Sequence, residues 1–115
     1  MRNACLSGAL AMAMINGAQA EEAFIGRWAI DLAGCTSGGD TSSTAPLYAT
    51  ATTVKWFTAQ CAIGKMYKTG TAVHIQARCA NEGKIVATPI TLDARGDRLR
   101  VVWDGVKVGD MRRCK

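Results

Sequence analysis

The chain has 115 residues, 49% of them apolar, with 14 lysines and arginines against 9 aspartates and glutamates. One domain fits that length and two do not. The basic excess is mild and scattered, without the clustering and interleaved aromatics that nucleic-acid binding asks for, so no nucleic-acid partner is expected.

The first twenty residues read as an address. Arg2 gives a positive start, Ala4 to Ile15 form an uncharged apolar run, and Ala18-Gln19-Ala20 before Glu21 is a small-x-small cleavage pattern. That order predicts a secretory signal peptide over residues 1–20. The other reading is a buried helix of a cytosolic domain. The run is shorter than the roughly 20 residues that span a bilayer, and no later stretch is apolar enough to cross one. Residues 21–115 then form a single domain, exported to the periplasm or secreted. Without Arg2 and Cys5 it carries 13 basic against 9 acidic residues, a net of +4, and four cysteines. An even count in an oxidising compartment reads as two disulfides. No C-x-x-C is present, so neither a zinc ribbon nor a redox motif is supported.

Beyond the leader the apolar pattern has period two, not 3.6. In FIGRWAIDL, Phe24, Gly26, Trp28, Ile30 and Leu32 share one face. Residues 33–46, a Gly/Ser/Thr run, form a long loop. Later, Val73, Ile75, Ala77 and Cys79 oppose His74, Gln76 and Arg78, and Leu99, Val101 and Trp103 oppose Arg98 and Arg100. One buried and one wet face is the mark of an antiparallel sheet. Turns fall at Thr69-Gly70, Asn81-Glu82-Gly83, Arg95-Gly96-Asp97 and Asp104-Gly105. Asp-Gly between Trp103 and Val106 is what a two-residue type I′ hairpin requires. The fold class is all-β: a small antiparallel up-and-down barrel or strongly curved meander of about seven or eight strands.

Strands at roughly 24–32, 46–57, 61–68, 71–80, 84–93, 97–103 and 106–114, alternating in direction, place Cys35 and Cys114 at one end and Cys61 and Cys79 at the other. A three-residue loop at Thr69-Gly70-Thr71 sets Cys61 opposite Cys79, close enough to bridge. The expected pairs are Cys35–Cys114 and Cys61–Cys79. This placement fails if 46–57 is two strands, because every later strand then reverses.

Gly26-Arg27-Trp28 on the first strand and Arg112-Arg113 on the last resemble the calycin group, which includes lipocalins, avidins and bacterial metalloprotease inhibitors of the alkaline-protease-inhibitor type. The resemblance implies a barrel closed by an arginine stacked on the tryptophan, a favourable cation–π pair. Trp28 is then the plug and Arg112 or Arg113 its cover, with a bulge at Gly109 deciding which arginine points inward. The other reading has Trp28 as plain core. Only Glu21 to Ile25 precede the glycine, too few for a free inhibitory arm, and Phe24 and Ile25 read as strand. The domain is also short for a deep ligand cup.

Little else points to chemistry. His74 is the single histidine, on a polar strand face with no second ligand or thiolate. The carboxylates are scattered and there is no phosphate loop. No enzyme activity, metal or cofactor is expected. Arg95-Gly96-Asp97 spells the integrin-ligand motif, though Gly-Asp is also ordinary turn chemistry. Tyr48, Trp56, Phe57 and Tyr67 are candidates for an apolar patch. Trp56 with Val54 reads as core, and Phe57 as a partner anchor or as a residue covered by the 33–46 loop. The expected function is an exported binding or inhibitor protein acting through protein contact, with a secreted hydrolase as one target class. Lysozymes, usually basic, are disfavoured by charge. A lipocalin-type carrier and a stress or virulence factor contacting a host component are the alternatives. The expected state is a monomer or weak oligomer.

Overall fold

Alternating strands leave edges unless the sheet closes, and here it closes. In a computed structural model, which describes residues 22–36 and 45–115, eight antiparallel strands form a barrel. They are β1 (Gly26–Ala29), β2 (Leu47–Ala49), β3 (Thr53–Trp56), β4 (Ala59–Thr69), β5 (Ala72–Asn81), β6 (Lys84–Arg95), β7 (Arg98–Trp103) and β8 (Val106–Arg113). Each pairs with its neighbours in sequence, and β8 returns to pair with β1. The expected leader, residues 1–20, and the centre of the Gly/Ser/Thr loop lie outside the described residues.

The inner positions of the period-two pattern make the core. Trp28, Leu47, Val54, Ile75, Ile90, Leu92, Leu99, Val101 and Met111 are all buried, and Phe24 closes the end beneath them. Asp104 and Gly105 both take positive φ between the paired Trp103 and Val106, as the Asp-Gly signal requires.

Three expectations are corrected. The first strand does not run to residue 32. It stops at Ala29, and a one-turn helix α1 (Leu32–Thr36) folds back against β1, which leaves Ile30 and Leu32 exposed. Phe24 and Ile25 precede the strand in a turn closed by the Ile25 amide donating to the Glu22 carbonyl. Residues 46–57 are two strands, β2 and β3, joined at Thr50, whose hydroxyl accepts from the Thr52 and Thr53 amides.

With eight strands instead of seven, every later strand reverses, yet both disulfides are the expected ones. Cys61 and Cys79 lie on adjacent strands and reverse together, so they stay paired, with Cα atoms 3.9 Å apart. Cys114 moves to the other end of β1, where its amide donates to the Arg27 carbonyl. Helix α1 carries Cys35 back to meet it, at a Cα separation of 5.4 Å.

A second compensation operates in the β4–β5 hairpin. Thr69 pairs with Ala72 across a two-residue turn, not the expected three-residue one. That register alone would misalign the cysteines by one. A bulge between Ile63 and Lys65 restores it. Gly64 permits the bulge, since a Cβ there would lie 2.8 Å from the Gln76 carbonyl oxygen.

Candidate functional site

The barrel has two differently built ends. At the closed end, Gly109 (φ +109°) marks a bulge between Lys107 and Gly109 in β8. The extra residue changes which side chains face inward: Met111 is fully buried, Arg113 turns inward, and Arg112 points out. The Arg113 guanidinium lies 4.2 Å from the Trp28 ring centroid. Its Nη1 donates to the Ile25 carbonyl and its Nη2 to the Ala23 carbonyl, each at 3.0 Å. The Trp28 indole N–H donates to the Phe24 carbonyl at 2.9 Å. Gly26 sits at φ +147°, where a Cβ would come within 2.7 Å of Arg113 Nη1. Glycine is therefore needed for its dihedral, and a Cβ would also push the Arg113 guanidinium end from its contacts.

This arrangement absorbs part of the Arg95-Gly96-Asp97 turn. The Asp97 carbonyl accepts the Arg113 amide, and its carboxylate lies 3.8 Å from both Arg113 Nε and Lys115 Nζ. Arg95 pairs with Asp93 at 3.3 Å. The triplet thus belongs to the closed end, at the opposite end of the barrel from Phe57.

At the open end, an apolar cleft of about 550 Å³ is lined by Ile30, Trp56, Phe57, Trp103, Val106 and Val108, with Asp104 at its edge. The Trp56 ring lies 4.5 Å from the Phe57 ring and 5.4 Å from the Trp103 ring. Trp56 is only partly buried, with one side against the core and its indole N–H donating to the Ala45 carbonyl at 3.3 Å. Phe57 is not a strand residue. It occupies the β3–β4 turn at φ +54°. A bulky side chain in that left-handed conformation is uncommon and costs on the order of 1 kcal/mol or more. Glycine or asparagine would adopt it more readily, so the benzyl group itself is what the position retains.

Beside the cleft, the barrel has an open edge. Strand β6 pairs with β5 from Lys84 onward, but with β7 only from Ile90 onward. The Pro89 carbonyl, accepting from the Asp104 amide, shows which side faces β7. Ile85 and Ala87, at the same parity, direct their N–H and C=O groups to that side, where no described strand pairs with them. Ile85 is 65% exposed. Val86, opposite the buried Cys79, is 55% exposed for the same reason.

The other sequence candidates disperse. Tyr48 packs on the outer face beside Arg27, and Tyr67 stacks on His74 at 4.8 Å, so neither joins the cleft. His74 is held between Thr69 (2.7 Å) and Thr91 (3.1 Å) on the outer surface. No group of three or more metal-ligating side chains occurs among the described residues, and none of their helices is long and apolar enough to cross a membrane. The two disulfides are compatible with an oxidising compartment. Sequence reasoning missed Trp103, Ile30, Val106 and Val108. Trp103 and Val106 flank the Asp-Gly turn, and the signal that located the hairpin also placed its apolar flanks at an end of the barrel.

Comparison with protein-family models, with curated proteins and with solved structures finds no match.

Proposed function

We propose that this chain is an exported binding or inhibitor protein that acts by protein–protein contact through the aromatic end of its barrel. The observation that carries this reading is Phe57, held at positive φ with its ring against Trp56 at the edge of an open apolar cleft. Aromatic anchors of this kind supply most of the energy in protein interfaces. The stretch of β6 beside the cleft with which no described strand pairs supports the same reading, because it offers main-chain groups to a partner segment. A secreted hydrolase is the first target class to try.

A lipocalin-type carrier needs interior room. Here Phe24, Trp28, Leu47, Leu92 and Met111 fill the barrel, and the recess beside Phe24 measures about 270 Å³. Contact with a host component through Arg95-Gly96-Asp97 is weakened by the ties that hold Asp97 to Arg113 and Lys115. The Gly26–Trp28–Arg113 arrangement supports the calycin resemblance. Binding, not catalysis, is the role this surface suits.

The test is affinity capture from periplasmic and extracellular extracts with the parent and with Phe57→Ser and Trp103→Ser. A protein retained by the parent and lost from both variants, while both keep the parent's circular dichroism, supports the reading. Identical retention by all three overturns it.

A further inference from the structure

Strands β6, β7 and β8 carry a second feature on the outer face of the barrel, toward the end away from the cleft. Register places Asp93, Arg100 and Asp110 side by side across β6, β7 and β8. Two residues along, it places Arg95, Arg98 and Arg112 side by side on the same face. The first row alternates in sign and is self-compensating. The second row is three positive charges, directly opposed on adjacent strands.

Like charges at directly opposed positions destabilise a sheet. Two of the four arginines in this grid are neutralised locally: Arg95 by Asp93 at 3.3 Å and Arg100 by Asp110 at 3.6 Å. Arg98 and Arg112 face each other, both exposed, and the side chain of neither has an ion pair or hydrogen bond with another described residue. The two aspartates are already engaged, Asp93 additionally by the Thr71 hydroxyl at 2.6 Å. A shallow recess of about 90 Å³ lies over Asp93, Arg95, Arg98, Arg100 and Asp110.

We propose that Arg98 and Arg112, with Arg95 beside them, bind a tetrahedral oxyanion: the phosphate or sulfate group of a monoester. Neighbouring strands stand about 4.8 Å apart, so two guanidinium forks can converge on one such group from opposite sides. Arginine suits this better than lysine, because its planar fork donates in pairs and is more weakly hydrated. The anion supplies the negative charge that the row lacks. The adjacent aspartates hold Arg95 and Arg100 and keep the local excess small, which favours one compact anion over a long polyanion. The outer-face neighbours on these strands are Thr91, Val102 and Lys107, not the aromatics on which the bases of a single-stranded nucleic acid would stack. This site is independent of the aromatic cleft and does not rest on its role.

The test is thermal unfolding at constant ionic strength, with chloride replaced stepwise by inorganic phosphate or by sulfate. Sulfate and phosphate stabilise folded proteins in general, so the readout is the difference between the parent and the variants Arg98→Gln and Arg112→Gln. The parent should show a saturable rise in melting midpoint that both variants lose. In chloride, the variants should melt at or above the parent, because each removes a like-charge pair. Arg78→Gln, on the outer face of β5, should respond as the parent does. A second arm measures co-sedimentation with phosphatidylcholine vesicles, with and without phosphatidate. Binding that needs phosphatidate and is lost in Arg98→Gln assigns the monoester to a lipid head group. Saturation by inorganic anions without vesicle binding assigns it to a soluble ligand. Equal responses of parent and variants to the oxyanions, with no Arg98-dependent vesicle binding, overturn the proposal.

Discussion

The guanidinium of Arg113 lies 4.2 Å from the centre of the Trp28 ring, and no side chain stands at Gly26 to separate them from the chain above. Three stabilising terms meet at one residue. They are a cation–π contact, two charge-assisted hydrogen bonds to the Ile25 and Ala23 carbonyls, and the covering of a fully buried indole. Arg113→Ala should therefore destabilise the barrel by about 2–3 kcal/mol. Arg112→Ala should change stability by less than about 0.5 kcal/mol, or raise it slightly. Chemical denaturation of the two single variants measures both. Equal losses would mean that Arg113 contributes no more than a surface residue.

Gly26→Ala places a methyl group 2.7 Å from Arg113 Nη1 and an L side chain at φ +147°. The expected cost is on the order of 2 kcal/mol. Part of it should vanish in the Arg113→Ala background, because the clash goes and only the backbone strain remains. A double-mutant cycle reads that coupling directly. Strict additivity would show that the glycine serves the backbone alone.

The two disulfides should differ in what they contribute. Cys35 and Cys114 are 79 residues apart and Cys61 and Cys79 are 18 apart. Loop-closure entropy gives about 4.5 kcal/mol for the first and about 3 kcal/mol for the second. Serine replacement of each pair, followed by urea unfolding, should reproduce that order. Loss of Cys35–Cys114 should also free α1 from β1 and raise amide exchange in both.

Phe57→Gly should leave the protein as stable as the parent or more so, despite removing an aromatic ring, because glycine accepts φ +54° without strain. A loss above about 1.5 kcal/mol would show that the ring belongs to the core, and the anchor reading would lose its basis.

Asp93 has its carboxyl held below the usual carboxylate range, chiefly by the Thr71 hydroxyl; burial opposes this next, and Arg95 and Arg100 add to the lowering. A depressed pKa in the folded state means stability that is present above the ordinary value of 3.8 and is lost as pH falls through the folded value. Thr71→Val should move the Asp93 titration back up, as followed by carboxyl carbon chemical shifts. The acid limb of the stability curve should become shallower. An unmoved titration would assign the shift to the arginines instead.

Much of this protein is legible in its residues because β-structure writes a local code. Leu99, Val101, Ile75 and Cys79 could be assigned to the inner face from alternation alone, since side chains in a strand point to opposite sides in turn. Asp104-Gly105 specified its own hairpin, because few residues tolerate two consecutive positive φ values. Gly26, Trp28 and the paired arginines at 112 and 113 marked the closure, and Gly109 supplied the bulge that selected Arg113.

What only the tertiary structure decided depends on distance along the chain. The correct cysteine pairs followed from a strand count that was short by one and a turn that was long by one. Helix α1 offset the first error by carrying Cys35 back along β1, and the Gly64 bulge offset the second. Neither has a strong local signal: α1 is a single turn whose one end signal is the Asp31 carboxylate accepting the Gly34 amide, and Gly64 reads as an ordinary strand interruption. The cleft escaped prediction for the same reason. Trp56, Trp103 and Ile30 come from three separate strand ends, and their meeting is set by how far each strand runs before the barrel turns. Local sequence determines which way a side chain faces. The lengths and shear of the closed sheet determine which side chains face each other.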